Sequence, residues 1–269
     1  MCSCLSVSRS CFYSWLNSEP SNRVKENESL TAKIKKIFKD SRQTYGTRRI
    51  KQVLAKQGYK ISQRRIGRLM KAAYLFCKAK RKYKATTNSN HSLPIAENIL
   101  NRNFNVTCAN THYVGDITYI STSEGWLYLA VVIDLYSRKV VGYAMDDNMR
   151  SELVNKALLN AIWQRKPKVG LIWHTDRGSQ YASDSHRNII KTFNIKQSMS
   201  RRANCWDNAV SESFFHTLKV ELVHTVKFKT RKEAQLAISE YIEVFYNKKR
   251  LHSANDYLSP DEFELAQNS

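Results

Sequence analysis

Three consecutive runs constrain the fold of this chain more than any other feature. Tyr113 to Ile120, Trp126 to Asp134 and Lys139 to Met145 are rich in Val, Ile, Tyr and Thr, and short turns at Ser123 to Gly125 and Tyr136 to Arg138 separate them. Connections that short leave no length for a crossover, so neighbouring runs pair antiparallel. Beyond them the period changes. Ser151 to Gln164 reads as a helix, Val169 to His174 as a buried strand, Asp184 to Phe193 as a helix and Ile195 to Met199 as a short strand. Two long helices follow, over Asp207 to Val223 and Arg231 to Tyr246. Hairpin strands first, then strand and helix in alternation, predict an α/β fold. Its mixed sheet has three antiparallel strands, then two parallel ones, with helices over its faces.

Ahead of this sheet the apolar residues follow helical spacing. Asn27 can cap a helix with Leu30, Ile34, Ile37 and Phe38 on one face, ending near Asp40. Thr47 can cap a second with Ile50, Val53 and Leu54, stopped by Gly58, and Ser62 a third with Ile66, Leu69, Met70 and Ala73. This is a helix-turn-helix pattern whose third helix presents Arg64, Arg65, Arg68 and Lys71, as a recognition helix facing phosphates and base edges would. A solvated basic face on a small helical bundle gives the same pattern. Upstream, Ser8 precedes a brief amphipathic helix, Arg9 to Leu16, which resembles the tail of a larger helical unit. From Lys78 to Leu93 the periodicity is lost among basic and small polar residues, which reads as a linker along a nucleic-acid backbone. The expected organisation is a helical DNA-binding region over 1–77, a basic linker over 78–101 and a catalytic core with C-terminal helices over 102–269.

Charge separates the two readings of the basic helix. Residues 1 to 110 hold 23 basic and 5 acidic side chains, whereas residues 111 to 269 hold 21 and 18. Positive charge concentrated on one segment implies a polyanionic partner, commonly nucleic acid. An acidic membrane surface would want a basic amphipathic helix with a broad apolar face, which is less evident. The longest unbroken apolar run, Trp126 to Ile133, is far below the roughly 18 residues of a spanning helix. No signal-peptide order begins the chain, so a cytosolic, nucleoid-associated protein is expected. The cysteines, Cys2, Cys4, Cys11, Cys77, Cys108 and Cys205, show no zinc-ligand spacing and read as free thiols.

Three acids carry the chemistry. Asp116 sits inside the apolar run VGDITYI, where an ionised carboxylate is costly without compensation. Asp176 follows the buried strand that ends at His174, at the sheet edge where sites form in α/β folds. Glu212 lies in the first turns of a helix that Asp207 or Asn208 can cap. They converge if the strands of Asp116 and Asp176 are neighbours with that helix packed across their ends. An oxygen-only ligand set suits Mg²⁺ or Mn²⁺, and two such ions clamp the attacking and leaving oxygens of a phosphodiester displacement. Asp116 and Asp176 are 60 positions apart, and 35 residues separate Asp176 from Glu212. Lys219, seven positions after Glu212, stands nearly in register with it and can reach a phosphate held at the acids.

These residues resemble those of the second-reading-frame transposases of the third bacterial insertion-sequence family, whose catalytic core is similar to retroviral integrases. The stretches that carry the resemblance are GDITYI, WLYLAVVIDLYSRKVVG, HTDRGSQY, NCWDNAVSESFFHTLKVE and YNKKRLHSANDYLSPDEF, together with YGTRRI in the helix-turn-helix. The resemblance implies an RNase H-like fold with Asp116, Asp176 and Glu212 as catalytic metal ligands, Lys219 as a contact to the transposon end, and Asn208 as a further DNA candidate. It implies metal-dependent cleavage that frees a 3′-hydroxyl, then attack of that hydroxyl on another phosphodiester without a covalent protein intermediate. The implied partners are double-stranded DNA carrying the terminal inverted repeats, target DNA, further copies of the chain on DNA and an upstream-frame product or fusion. The start resembles an internal point of longer relatives. Tyr113 stands where members usually have Trp, and Ala203 where Gly is common in the loop that positions Glu212.

Other residues have plainer readings. Asp134 is expected to pair with Arg138, Asp146 and Asp147 to be solvated, Glu221 to lie on the helix side opposite Glu212, and His174 to be a hydrogen-bonded strand-end histidine or a proton relay. Trp126, Trp163 and Trp173 are assigned to the core. A plain metal-dependent nuclease and a DNA-binding regulator with an inactive core remain the alternative functions.

Overall fold

The computed structural model describes residues 6–78, 94–201 and 205–267, so most of the expected linker and Ala203 lie outside the described residues. The chain divides into two compact units, Met1–Cys77 and Lys78–Ser269.

The first unit is helical: α1 (Arg9–Leu16), α2 (Asn22–Asp40), α3 (Thr47–Lys56) and α4 (Gln63–Ala72). Ser8 caps α1 and Ser62 caps α4, as their positions suggest. Two caps differ from expectation. Ser21, not Asn27, accepts the first-turn N–H of α2, from Val24 at 3.4 Å, because the polar first turn carries no apolar signal to mark it. Thr47 is already inside α3 behind Gly46, and its hydroxyl accepts from Gln63 Nε2 at 2.9 Å, tying the starts of α3 and α4. Gly58, at φ +86°, takes the left-handed turn after α3 that a side chain disfavours. Leu30, Ile34, Ile50, Leu54 and Ile66 form the buried stripe, and α1 buries none of its residues.

The second unit carries β1 (His112–Thr122), β2 (Gly125–Asp134), β3 (Val140–Asp146), α5 (Ser151–Arg165), β4 (Ile172–Thr175), α6 (Ser179–Ala182), α7 (Asp184–Thr192), β5 (Lys196–Met199), α8 (Ala209–Glu221), α9 (Arg231–Glu240) and α10 (Pro260–Gln267). A 3₁₀ turn, Cys205–Asn208, precedes α8, and α9 continues into a π-turn, Tyr241–Tyr246. The sheet order is β3-β2-β1-β4-β5. β1, β2 and β3 pair antiparallel, whereas β4 pairs parallel with β1 and β5 parallel with β4. This is the RNase H-like arrangement, in which β2 alone runs against the other four strands and pairing changes from antiparallel to parallel at β1. Phe214, Phe215 and Leu218 of α8, with Ile238 of α9, cover one face over Val114, Leu127, Leu129 and Val131. Val154, Ala157, Leu158 and Ala161 of α5 cover the other over Tyr113, Ala130 and Val132.

Of the three tryptophans assigned to the core, Trp173 alone is there, 1% exposed; Trp126 is 50% and Trp163 67% exposed. Trp126 sits at the hairpin end of β2 and Trp163 on the outer side of α5, where neither helical layer reaches. Tyr113 is fully buried, and its hydroxyl donates to Asn110 Oδ1 at 2.8 Å. Cys11, Cys77 and Cys108 are exposed free thiols.

Candidate active site

The 60-residue interval between Asp116 and Asp176 equals the offset of the parallel ladder that precedes them. In the parallel ladder His112 pairs with Ile172, Tyr113 with Trp173 and Val114 with His174, each at that same offset. The ladder itself ends two residues short of both aspartates. The ladder stops at Val114 and His174, and β4 ends at Thr175, so the two aspartates face the opening where β1 and β4 part. That opening lies at the carboxyl end of β4, beside β1, where pairing changes from parallel to antiparallel.

Gly115 fixes how closely the strands pack beneath the opening. A Cβ there would stand 2.0 Å from the Trp173 ring, so the indole lies directly against bare backbone. The indole N–H donates to His186 Nε2 at 3.0 Å, and His186 Nδ1 meets Asn155 Oδ1 at 2.7 Å. Burial lowers the His186 imidazole to about 4, so it is neutral at ordinary pH and fixes the ring above it.

The carboxylates themselves are half-buried. Asp116 Oδ1 accepts from the Ile117 N–H at 2.8 Å, and Asp176 Oδ1 from the Gly178 N–H at 2.9 Å. A Cβ at Gly178 would come within 3.0 Å of Asp176 Oδ1, so glycine leaves room beside that oxygen. Burial, then the charge of Asp176 and more weakly that of Glu212, pushes the Asp116 carboxyl well above the ordinary range; Lys219 opposes them. Tyr181, buried below, is pushed upward by burial and then by Asp116 and Asp176. Burial also raises Glu212, in the first turn of α8, and lowers Lys219, whose charge Asp116 partly sustains. The three acids therefore share one electrostatic neighbourhood with one lysine. Among the described residues, no group of three or more His, Cys, Asp or Glu side chains is arranged to hold a metal ion, so the acids do not form a closed cage.

Sequence reasoning missed the role of Asp207. It does not cap α8, and neither does the Asn208 side chain. The Asp207 carboxylate, fully buried, accepts from Arg201 Nε and Nη2 at 2.9 and 2.8 Å, from Arg102 Nε at 2.8 Å and from Asn98 Nδ2 at 3.0 Å. These partners, Arg201 first, hold its carboxyl far below the ordinary range. The Arg201 partner, six residues away, was visible in the sequence; Arg102, 105 residues away, was not. Asn208 is itself buried, so it offers no exposed DNA contact.

The plainer readings divide. Glu221 is buried in a fork with Arg250, Nη2 to Oε1 at 2.8 Å, and accepts from the Tyr241 hydroxyl at 2.7 Å. Asp134 is buried, but it accepts the backbone N–H groups of Asn110 and Tyr136 at 2.8 and 3.0 Å, while Arg138 donates to the Phe104 carbonyl; burial raises the Asp134 carboxyl to about 6. The Ser198 hydroxyl, which accepts from the Ile99 and Leu100 N–H groups, lies 2.8 Å from His174 Nδ1 and is thus free to donate there. Burial lowers His174 to about 4, which fits the structural role over a relay. In the first unit Arg64, Arg68 and Lys71 are exposed. Arg65 instead turns its fork to Glu26, at 3.0 and 2.7 Å, and to Asn27 Oδ1. Its donors are engaged inside the helical unit, which takes it out of the outward-facing basic set.

An RNase H-like sheet with acids at the parting of β1 and β4 defines the integrase-type catalytic core. Integrase core domain models match residues 106–205 and 212–267, and an HTH-like domain model matches residues 25–83. The chain is 48% identical to an uncharacterized 31 kDa protein of insertion element IS600 from Shigella sonnei, over 98% of this chain and 97% of that protein. It is 43% identical to the transposase of IS904 from Lactococcus lactis, over 93% and 98%. It is also 40% identical to transposase InsF of IS3A from Escherichia coli, over 98% and 92%. The chain belongs to the IS3 family of insertion-sequence transposases, DDE enzymes that bind, cleave and integrate DNA. No helix among the described residues is long and apolar enough to cross a membrane.

Proposed function

We propose that Asp116, Asp176 and Glu212 are the catalytic acids and hold divalent Mg²⁺ or Mn²⁺, two ions in the working complex, for cleavage at the element's terminal inverted repeats and transfer of the freed 3′-hydroxyl to target DNA. The observation that carries this reading is the pair Asp116 and Asp176, spaced at the offset of the ladder before them, whose charges oppose each other beside Glu212. A carboxylate raised first by burial and then by a neighbouring carboxylate gains from a cation beside it. The oxygen-only donors and the space that Gly178 leaves beside Asp176 fit such an ion. When bound, the ions would supply charge stabilisation for the attacking and leaving oxygens of the displacement. The chain's own part is positional: β1 and β4 fix two carboxylates, α8 brings the third toward them, and Lys219 holds the DNA phosphate at the opening.

Arg64, Arg68 and Lys71 are proposed as phosphate and base contacts of α4, with further copies of the chain and an upstream-frame product assembling on the same DNA, at the nucleoid. The test is incubation of labelled inverted-repeat DNA with Mg²⁺. Joining of strands supports the transposase reading in full; cutting without joining points to a nuclease, and retention alone to a regulator. Asp116→Asn should abolish cutting and joining while DNA retention stays within about twofold, since one neutralised acid leaves the phosphate contacts in place. Mn²⁺ should raise the melting temperature of the wild type and not of this variant. Turnover by Asp116→Asn removes the proposed site.

A further inference from the structure

Beside the acids, two large aromatic rings stand in water where the core could have taken them. Tyr119 pairs across the hairpin with Tyr128, and Ser121 with Trp126, so Tyr119 and Trp126 are diagonal neighbours on one face of the β1–β2 hairpin. Their ring centroids are 5.0 Å apart at 85°, edge against face, and the residues are 41% and 50% exposed. Lys219 reaches from α8 to within 5.0 Å of the Tyr119 ring centroid. Arg231 closes the other side, donating from Nε to the Trp126 carbonyl at 3.0 Å. The pair is thus held in one orientation with a cation on each flank.

This cluster shares its elements with the acids: Tyr119 follows Asp116 on β1, and Lys219, over the Tyr119 ring, follows Glu212 on α8. Two cations and an exposed indole suit a strand of nucleic acid: phosphates take the charges, and an unpaired base takes the π-face. A base inside a duplex is already stacked on its neighbours, so the occupant is an unpaired base at the end of the DNA. We propose that the indole of Trp126 is a stacking surface for an unpaired base of the DNA end, that Tyr119 positions this indole edge-on, and that Lys219 takes the adjoining phosphate. The proposal rests on reading the acid cleft as the reaction centre, since the stacked base would anchor the strand whose scissile phosphate lies at Asp116.

The experiment compares binding of the full chain, in EDTA, to two duplexes of one sequence. One ends in a short single-stranded overhang and the other in the same overhang made abasic, so charge is constant and the bases alone differ. The wild type should prefer the overhang with bases by about tenfold. Trp126→Ala should reduce that ratio to near one, Trp126→Phe should keep part of it, and Tyr119→Ala should lower it while Tyr119→Phe preserves it. A variant that folds poorly loses both probes alike, so the ratio remains the readout. Photocrosslinking from 5-iodouracil in the overhang should map to the peptide that carries Trp126. Equal binding of the two probes by the wild type, or an unchanged ratio in Trp126→Ala, overturns the platform. So does a change of oligomeric state in these variants with the ratio intact, which would assign the rings to a contact between copies. Because EDTA removes metal from the measurement, the platform can fail while Asp116→Asn still abolishes cleavage. Equally, a tenfold ratio that persists in Asp116→Asn supports the platform, whatever becomes of the acids.

Discussion

Asp116 and Asp207 are both drawn into the catalytic unit, and they are treated in opposite ways. Asp207 has two arginines, an asparagine and a backbone N–H on its oxygens, and its carboxyl is held far below the ordinary range. Asp116 has burial first and then the repulsion of Asp176 against it, with only the adjacent N–H of Ile117 and the charge of Lys219 in its favour, and its carboxyl is held well above that range. A carboxylate with its partners supplied by the chain is part of the framework. One buried among other acids is left with their repulsion, opposed in part by Lys219. The same contrast runs along α8, where Glu221 is locked to Arg250 and Tyr241, while burial raises the Glu212 carboxyl.

The contrast breaks most sharply by neutralising each aspartate in turn. Asp116→Asn should reduce strand cleavage by at least about a thousandfold, the equivalent of several kcal/mol of charge stabilisation, with an unfolding free energy equal to or above that of the wild type. Asp207→Asn should do the reverse. It should lower unfolding free energy by about 2 kcal/mol, because the charge-assisted hydrogen bonds are lost, and reduce cleavage only as far as the start of α8 shifts. Chemical denaturation and single-turnover cleavage on both variants decide it; equal effects on both measurements would erase the distinction.

Gly115→Ala tests the packing beneath the cleft. Its methyl would collide with the rigid Trp173 ring, so a loss of about 3 kcal/mol, at the upper end for overpacking, is expected together with lost cleavage. Wild-type stability in that variant would mean that β1 and β4 are free to separate. Lys219→Ala should reduce the salt dependence of DNA binding by about one counterion, read as the slope of log affinity against log salt.

The smallest effect concerns pH. His174 and His186 are neutral in the folded protein, each lowered by burial to about 4, so the unfolded chain binds more protons as pH falls below about 6.5 and stability drops toward pH 4. Asp134, raised to about 6 by burial, acts in the opposite sense, because the folded protein holds its proton where the unfolded chain has released it. Asp134→Asn should therefore lose stability more steeply than the wild type between pH 6.5 and 4. A shallower acid limb in that variant would contradict the burial of Asp134.

Much of the fold was legible because local periodicity reports which side of an element is apolar. The strand runs, α5, α7 and the caps of α1 and α4 stand within a few residues of where the pattern puts them. The interval from Asp116 to Asp176 was legible as spacing and equals the offset of the ladder that ends just before them. Periodicity failed where the answer lay with a residue far along the chain. Asn27 looked like a cap and instead accepts from Arg65. Trp126 and Trp163 looked like core residues, yet the helical layers do not extend over them.

By itself the sequence determined the order of elements and the antiparallel pairing of the first three strands, because each is written in neighbouring residues. Tertiary structure alone decided which charged groups are satisfied. A hydrogen bond between Arg102 and Asp207 spans 105 residues, and no local pattern announces it. The electrostatic state of a side chain depends on what surrounds it in space, and folding brings that surrounding from everywhere along the chain.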